Sequence, residues 1–262
     1  MTLDAAVTLA RELAISAGIG SDVVSAEHRG FRVVVDLGVA MAYVASDHAG
    51  GRRLALERQL LRVLQTRVPV GLPAPLVDHP RACLRLKVQG RSGFAHHRRA
   101  MAEPAVATEY AGELARVMAA FHTAIGSDEF AAWLAAGLPG SALLDRADVK
   151  LAASSMAAAE RDKAVAFLEQ PVSEDERCFL HGDFGSHNLV VDERDWITGV
   201  FDIEGAALGD RHHDMRWVPS YGPAALRAFV EAYQRLAVPI DIQRILRRHA
   251  LAALEQLGWG LT

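Results

Sequence analysis

Apolar and polar positions follow two alternating rhythms along this chain, and the rhythm changes several times. Residues 3–18 place apolar side chains at three- and four-residue spacing and stop at Gly18 and Gly20, which predicts an amphipathic helix. From Asp22 to Ser46 the texture becomes short β-rich runs, VVSAEH, FRVVVDL and VAMAYVA. Arg29-Gly30 and Leu37-Gly38 punctuate them, so an antiparallel meander is expected. GRRLALERQLLRVLQTR (51–67) returns to helical spacing, and Pro73 and Pro75 break the chain before a further apolar run, ACLRLKV (82–88).

Gly90 and Gly93 mark the expected lobe boundary, giving residues 1–90 and 91–262. Beyond it, residues 104–125 and 141–169 have helix spacing, separated by Pro139-Gly140. Strand texture returns at CFL (178–180), NLVV (188–191) and ITGVFDI (197–203), before helices over 223–236 and 240–257. The fold class is therefore α+β: a small antiparallel N-terminal lobe and a larger, mainly helical C-terminal lobe.

Composition narrows the options. Hydrophobic residues make up 51% and charged residues 23%, as in ordinary globular proteins. Asp4, Arg11 and Glu12 interrupt the N-terminal apolar residues, unlike a signal peptide, and no run is long enough to span a bilayer. Cys83 and Cys178 lie far apart without a metal-ligand pattern, which fits a reduced, cytoplasmic setting. Residues 1–100 carry 14 Lys+Arg against 8 Asp+Glu, and residues 101–262 carry 14 against 24. A basic half suits polyphosphate and an acidic half suits magnesium or a cationic acceptor; a solvated surface accounts for the same split. No helix carries a clustered basic stripe, so nucleic acid is not an expected partner.

The densest chemistry lies in FLHGDFGSHNLVVDERDWITGVFDIEGAALGDRHHDMRW (179–217). An apolar strand ends at Leu180, a turn carries Asp183, and a second strand follows Asn188. A hairpin through Glu193-Arg194-Asp195 then returns the chain to Asp202, beside Asn188. One carboxylate to orient a hydroxyl, with an amide and a second carboxylate as hard-oxygen ligands for magnesium, is the set that phosphoryl transfer needs. Glu204, two residues after Asp202, would on a strand point the same way, as a second partner near the magnesium or as an acceptor contact.

These residues resemble the aminoglycoside phosphotransferase and choline kinase family, whose fold is similar to that of protein kinases. His181–Asn188 matches its catalytic loop, Asp202 in FDIEG its magnesium aspartate, and GDRHHDM its later acidic segment, with Arg211 in place of proline. LARVMAAFHTAI resembles the family's helix ending in a leucine-histidine pair, and LERQLLRVL its N-lobe helix, whose glutamate (here Glu57) pairs with a strand lysine. The resemblance implies a two-lobed, protein-kinase-like enzyme. In it Asp183 would be the catalytic base, Asn188 and Asp202 the Mg2+ ligands, and His181 and Asp214 braces of the loop. ATP or GTP would be the donor, and an antibiotic or small metabolite the acceptor.

The strand before Glu57, VAMAYVAS, offers no cation, and the chain's only lysines are Lys87, Lys150 and Lys163. Lys87, Val88 and Arg52 are the candidate nucleotide contacts, with Arg53 and Arg85 as further candidate cations, and without a partner Glu57 would be a solvated helix residue. Arg29-Gly30-Phe31 is a tight turn instead of a phosphate cradle. His96-His97-Arg98-Arg99 reads as a solvated loop, His212-His213 as surface or packing residues, and Trp217 and Trp259 as core. Two other readings are a kinase-shaped binding protein without transfer activity, and a metal-dependent phosphohydrolase built on His181, Asp183, His187, His212, His213 and Asp214.

Overall fold

A computed structural model describes residues 1–136 and 177–258, with positions 160, 162, 163 and 166 between them. Helix α1 (Leu3–Ser16) precedes the meander β1 (Ser25–Arg29), β2 (Arg32–Asp36) and β3 (Ala40–Ala45). Helix α2 (His48–Gln65) then leads to the hairpin of β4 (Ala74–His79) and β5 (Ala82–Leu86). The five strands form one antiparallel sheet in the order β1-β2-β3-β5-β4. Gly30 at φ +56° closes the β1–β2 hairpin, and Gly38 at φ +76° the next turn, where Asp36 accepts from the Gly38 amide.

The sheet has two unlike faces. Val33, Val35, Ala42, Val44 and Leu84 pack against Ala6, Ala10, Leu13 and Ala14 of α1, where alanines let the helix approach closely. The opposite face carries Arg32, Val34, Met41, Tyr43 and Arg85 toward the rest of the molecule. Strict alternation sorts these sets.

The remaining chain builds on a second core. Strand β6 (Arg91–Ser92) pairs with β8 (Leu189–Val191), which pairs with β9 (Ile197–Val200). Helices α3 (Gly93–Ala102), α4 (Pro104–Ala124) and α5 (Ser127–Ala135) follow β6, and β7 (Arg177–Leu180) pairs with β10 (Ala207–Asp210). Proline at the first position of α4 needs no hydrogen-bond partner there, so it starts the helix without cost. A 3-10 run over Arg211–Tyr221, then α6 (Pro223–Leu236) and α7 (Ile242–Gly258), complete the described chain. Leu60, Leu61 and Leu64 of α2 belong to this larger core, so α2 packs into both halves.

The fold is the expected mixed α+β type, an antiparallel N-terminal sheet followed by a mainly helical part. Three local readings change. Residues 93–102, with His96 to Arg99, form a helix capped by Ser92 instead of a loop. The strand expected over 197–203 ends at Val200, because Asp202 is left-handed (φ +60°) and residues 203–205 form a 3-10 turn. Asp214 lies within the 3-10 run instead of at a helix start. The helix expected over 141–169 (apart from four positions), Lys150 and Trp259 lie outside the described residues.

Candidate active site

The turn after β7 is shaped by close backbone approach. Gly182 has φ +84°, and a Cβ there would lie 1.8 Å from the Gly205 carbonyl oxygen, so only glycine lets this turn press against the 203–205 turn. Asp214, fully buried, accepts from the His181 amide (2.9 Å) and the Gly182 amide (2.9 Å) and from His122 Nε2 (3.2 Å). Burial alone would raise its carboxyl; the His122 hydrogen bond and the surrounding histidines outweigh that and hold it well below the usual range. Buried His181 donates from Nε2 to the Phe201 carbonyl (2.9 Å) and accepts from the Asp183 amide at Nδ1 (3.3 Å). His213 donates to the Gly182 carbonyl (3.0 Å), and burial pushes it down to about 3, so it stays neutral. Every one of these groups fixes the loop that carries Asp183.

Asp183 is held by its neighbours on both oxygens. Oδ2 accepts from His187 Nε2 (2.9 Å) and Asn188 Nδ2 (3.1 Å), and Oδ1 accepts from Arg216 (3.2 Å). Burial works to raise this carboxyl, but the His187 hydrogen bond and the His187, Arg216 and His181 charges bring it down to about 2. It is therefore ionised at neutral pH. The His187 ring reaches it across Gly185, where a Cβ would sit 2.4 Å from the imidazole.

Asn188, 3% exposed, gives both amide protons to Asp183, to its backbone oxygen (2.9 Å) and its side chain. Its side-chain oxygen, Oδ1, takes no donor among the described residues. The β8–β9 ladder pairs Leu189 with Val200, and Phe201 donates to the Asn188 carbonyl (3.0 Å), so Asp202 emerges beside Asn188. Among the described residues no hydrogen bond or ion pair occupies the Asp202 carboxylate, although its charge is felt at both His187 and Tyr43. An amide oxygen and a carboxylate left unspent side by side fit a hard divalent cation such as Mg2+.

A cavity of about 260 Å³ lies between the sheet and the β8–β9 hairpin, walled by Val34, Met41, Leu86, Val88, Val190 and Phe201, with Arg32, Tyr43, Arg85, Lys87 and Asp202 supplying polar groups. Lys87 pairs there with Asp36 (2.7 Å). Arg52 is exposed on α2 and does not line the cavity. Glu57 is no solvated residue: at 2% exposure it meets Arg85 (2.9 Å) and Arg32 (3.4 Å) from the two strands that flank β3. Glu204, turned by the 3-10 segment away from the direction a strand would give, pairs with Arg32 and with Arg53 (3.3 Å). Arg32 was not visible as a site residue in the sequence, since only strand register puts it over Glu57.

The histidines of the phosphohydrolase reading disperse. His212 donates to Asp210 (2.6 Å) and accepts from the Asp241 amide (3.0 Å), while His181 and His213 bond backbone carbonyls. Among the described residues no group of three or more His, Cys, Asp or Glu is placed to hold a metal, and no helix is long and apolar enough to cross a membrane.

A family model described as "Phosphotransferase enzyme family" matches residues 23–248. Among solved structures, the chain is similar to the apoenzyme of macrolide 2'-phosphotransferase MphH from Brachybacterium faecium, at 20% identity and TM-score 0.68, covering 97% of this chain and 91% of that one. A streptomycin-ATP-APH(2")-IIa ternary complex gives 16% identity and TM-score 0.69 over 99% and 94%. A GDP and kanamycin complex of APH(2")-IIIa gives 19% and 0.60 over 91% and 85%. No curated protein matches the chain in sequence. The structural likenesses speak for the protein-kinase-like fold, and the family match spans most of the chain. This chain therefore belongs to the phosphotransferase enzyme family and is a small-molecule kinase, an enzyme that phosphorylates hydroxyl groups.

Proposed function

We propose that the protein moves the γ-phosphoryl group of ATP or GTP to a hydroxyl of an aminoglycoside- or macrolide-like antibiotic or of a small metabolite. The observation that carries this reading is the Asp183 carboxylate, ionised and held by His187, Asn188 and Arg216, with Asp202, which lines the cavity, brought back toward Asn188 by the β8–β9 hairpin. Asp183 orients the acceptor hydroxyl and takes its proton as the oxygen attacks. Arg216 and His187 limit the rotamers of that carboxylate, which favours a near-attack geometry. The apolar walls suit a nucleobase. Asn188 and Asp202 would hold Mg2+, which when bound neutralises charge on the donor's phosphates.

Related phosphotransferase structures containing ATP or GDP with streptomycin or kanamycin support a nucleotide donor and a small-molecule acceptor. The test is acceptor-dependent release of ADP or GDP across a panel of antibiotics and metabolites, comparing the wild type with Asp183→Ala. With a confirmed acceptor, turnover should fall by about 10²–10⁴-fold. Equal turnover would remove Asp183 as the base, and nucleotide binding with no acceptor in a broad panel would favour the binding-protein reading.

A further inference from the structure

On β3 the side chain facing the cavity midway along the strand is Tyr43. Register sets it opposite Val34 on β2 and Cys83 on β5. Arg32 and Arg85, each two residues from those partners, therefore share its face of the sheet. Both guanidiniums lie over the Tyr43 ring, at 4.7 Å and 4.4 Å from its centroid, and both reach Glu57 Oε2. Stacking and a common carboxylate fix two buried cations on one wall of the cavity.

Their partners differ in how easily they can be replaced. Glu57 is nearly inaccessible, whereas the Glu204 side chain is 36% exposed and reaches Arg32 and Arg53 from the opposite side of the cleft. Arg32 Nε is buried and meets no hydrogen-bond acceptor among the described residues, so this guanidinium has a donor still to satisfy. Asp202 faces the same cavity, and among the described residues no hydrogen bond or ion pair occupies its carboxylate. An ion pair open to solvent contributes little, so an incoming polyanion can displace Glu204 while Glu57 stays in place.

We propose that Arg32 and Arg85, stacked on Tyr43 and anchored by Glu57, hold the phosphates of the nucleotide in place of a strand lysine, and that Glu204 occupies Arg32 until the nucleotide arrives. The proposal rests on the nucleotide reading of the cavity.

The test is calorimetry on the full chain with magnesium, titrating ATP and GTP and, in parallel, adenosine and guanosine. Arg32→Gln and Arg85→Gln should each weaken triphosphate binding about ten- to a hundredfold and leave nucleoside binding unchanged. Glu204→Gln should tighten triphosphate binding several-fold, again without moving the nucleoside. A wild type that binds triphosphate, matched by all three variants, overturns the arginine assignment while leaving the nucleotide reading intact. A wild type that binds neither ligand overturns both. Should the arginine variants fail to fold, Glu204→Gln decides alone, and an unchanged triphosphate affinity rejects the proposal.

Discussion

Glu57 shows what burial demands of a single charge. A carboxylate at 2% exposure persists only if cations and hydrogen bonds replace water, and Arg32 and Arg85 do so from two different strands. Glu57→Gln removes the charge and leaves two guanidiniums buried without it. The expected cost is about 3–5 kcal/mol of stability, measured as the shift in urea unfolding free energy; a variant as stable as the wild type would mean that the cluster is hydrated. Glu57 was legible in the sequence from its helix and its family-like surroundings. Its partners were not, because cross-strand neighbours follow from register, and register is not written in any local run of residues.

At the scale of elements, the site depends on two turns pressed together. Gly182 admits the 203–205 turn so closely that a methyl group would overlap the Gly205 carbonyl. Gly182→Ala should therefore push that turn away and carry Asp202 with it. A misplacement of about 1 Å predicts a loss in turnover on the order of 10²-fold, and kinetics with a confirmed acceptor would measure it. Unchanged turnover would show that the turns are not coupled.

Strands β2 and β3 and the helices α1, α2, α4 and α6 are readable from periodicity, since each buries apolar side chains, whereas β1 buries none of its residues. Helix α3 was hidden: GFAHHRRAMA begins with glycine and is dominated by histidine and arginine, and its start depends on the Ser92 cap. Glu204 was misplaced because a strand continued through Ile203 sends its side chain one way and a 3-10 turn another. The candidates Asp183, Asn188 and Asp202 rest on their spacing together with the family resemblance, and the β8–β9 hairpin brings Asp202 back toward Asn188.

Across the whole molecule, the uneven charge noted between residues 1–100 and 101–262 is partly spent on pairs that join the two regions. Arg67 meets Glu129 (2.7 Å), Arg91 meets Asp195 (2.8 Å), and Arg32 and Arg53 meet Glu204. A second long-range anchor lies away from the cleft. Asp210, 2% exposed, accepts from His212, Arg244 (3.0 Å) and Arg248 (2.9 Å), and so ties α7 to the end of β10. Burial would raise its carboxyl, yet His212 and the two arginines keep it far below the ordinary value. A carboxyl depressed in the folded state stabilises above its unfolded value of roughly 4 and loses that contribution as pH falls further. Chemical denaturation between pH 5 and pH 2 should show stability falling with acid, and Asp210→Asn should be less stable at pH 7 and have a shallower slope. Parallel slopes would exclude Asp210 as a source of acid sensitivity.

The left-handed backbone of Asp202 narrows what that position can become. Apart from glycine, asparagine and aspartate tolerate this conformation most readily, and branched side chains resist it. Genetic drift there has few exits: asparagine retains the shape and drops the charge, and glycine retains the shape and drops the ligand. A laboratory library randomised at this codon would sample mostly misfolded turns, leaving Asp202→Asn as the informative single replacement for separating the electrical role of this side chain from its geometry.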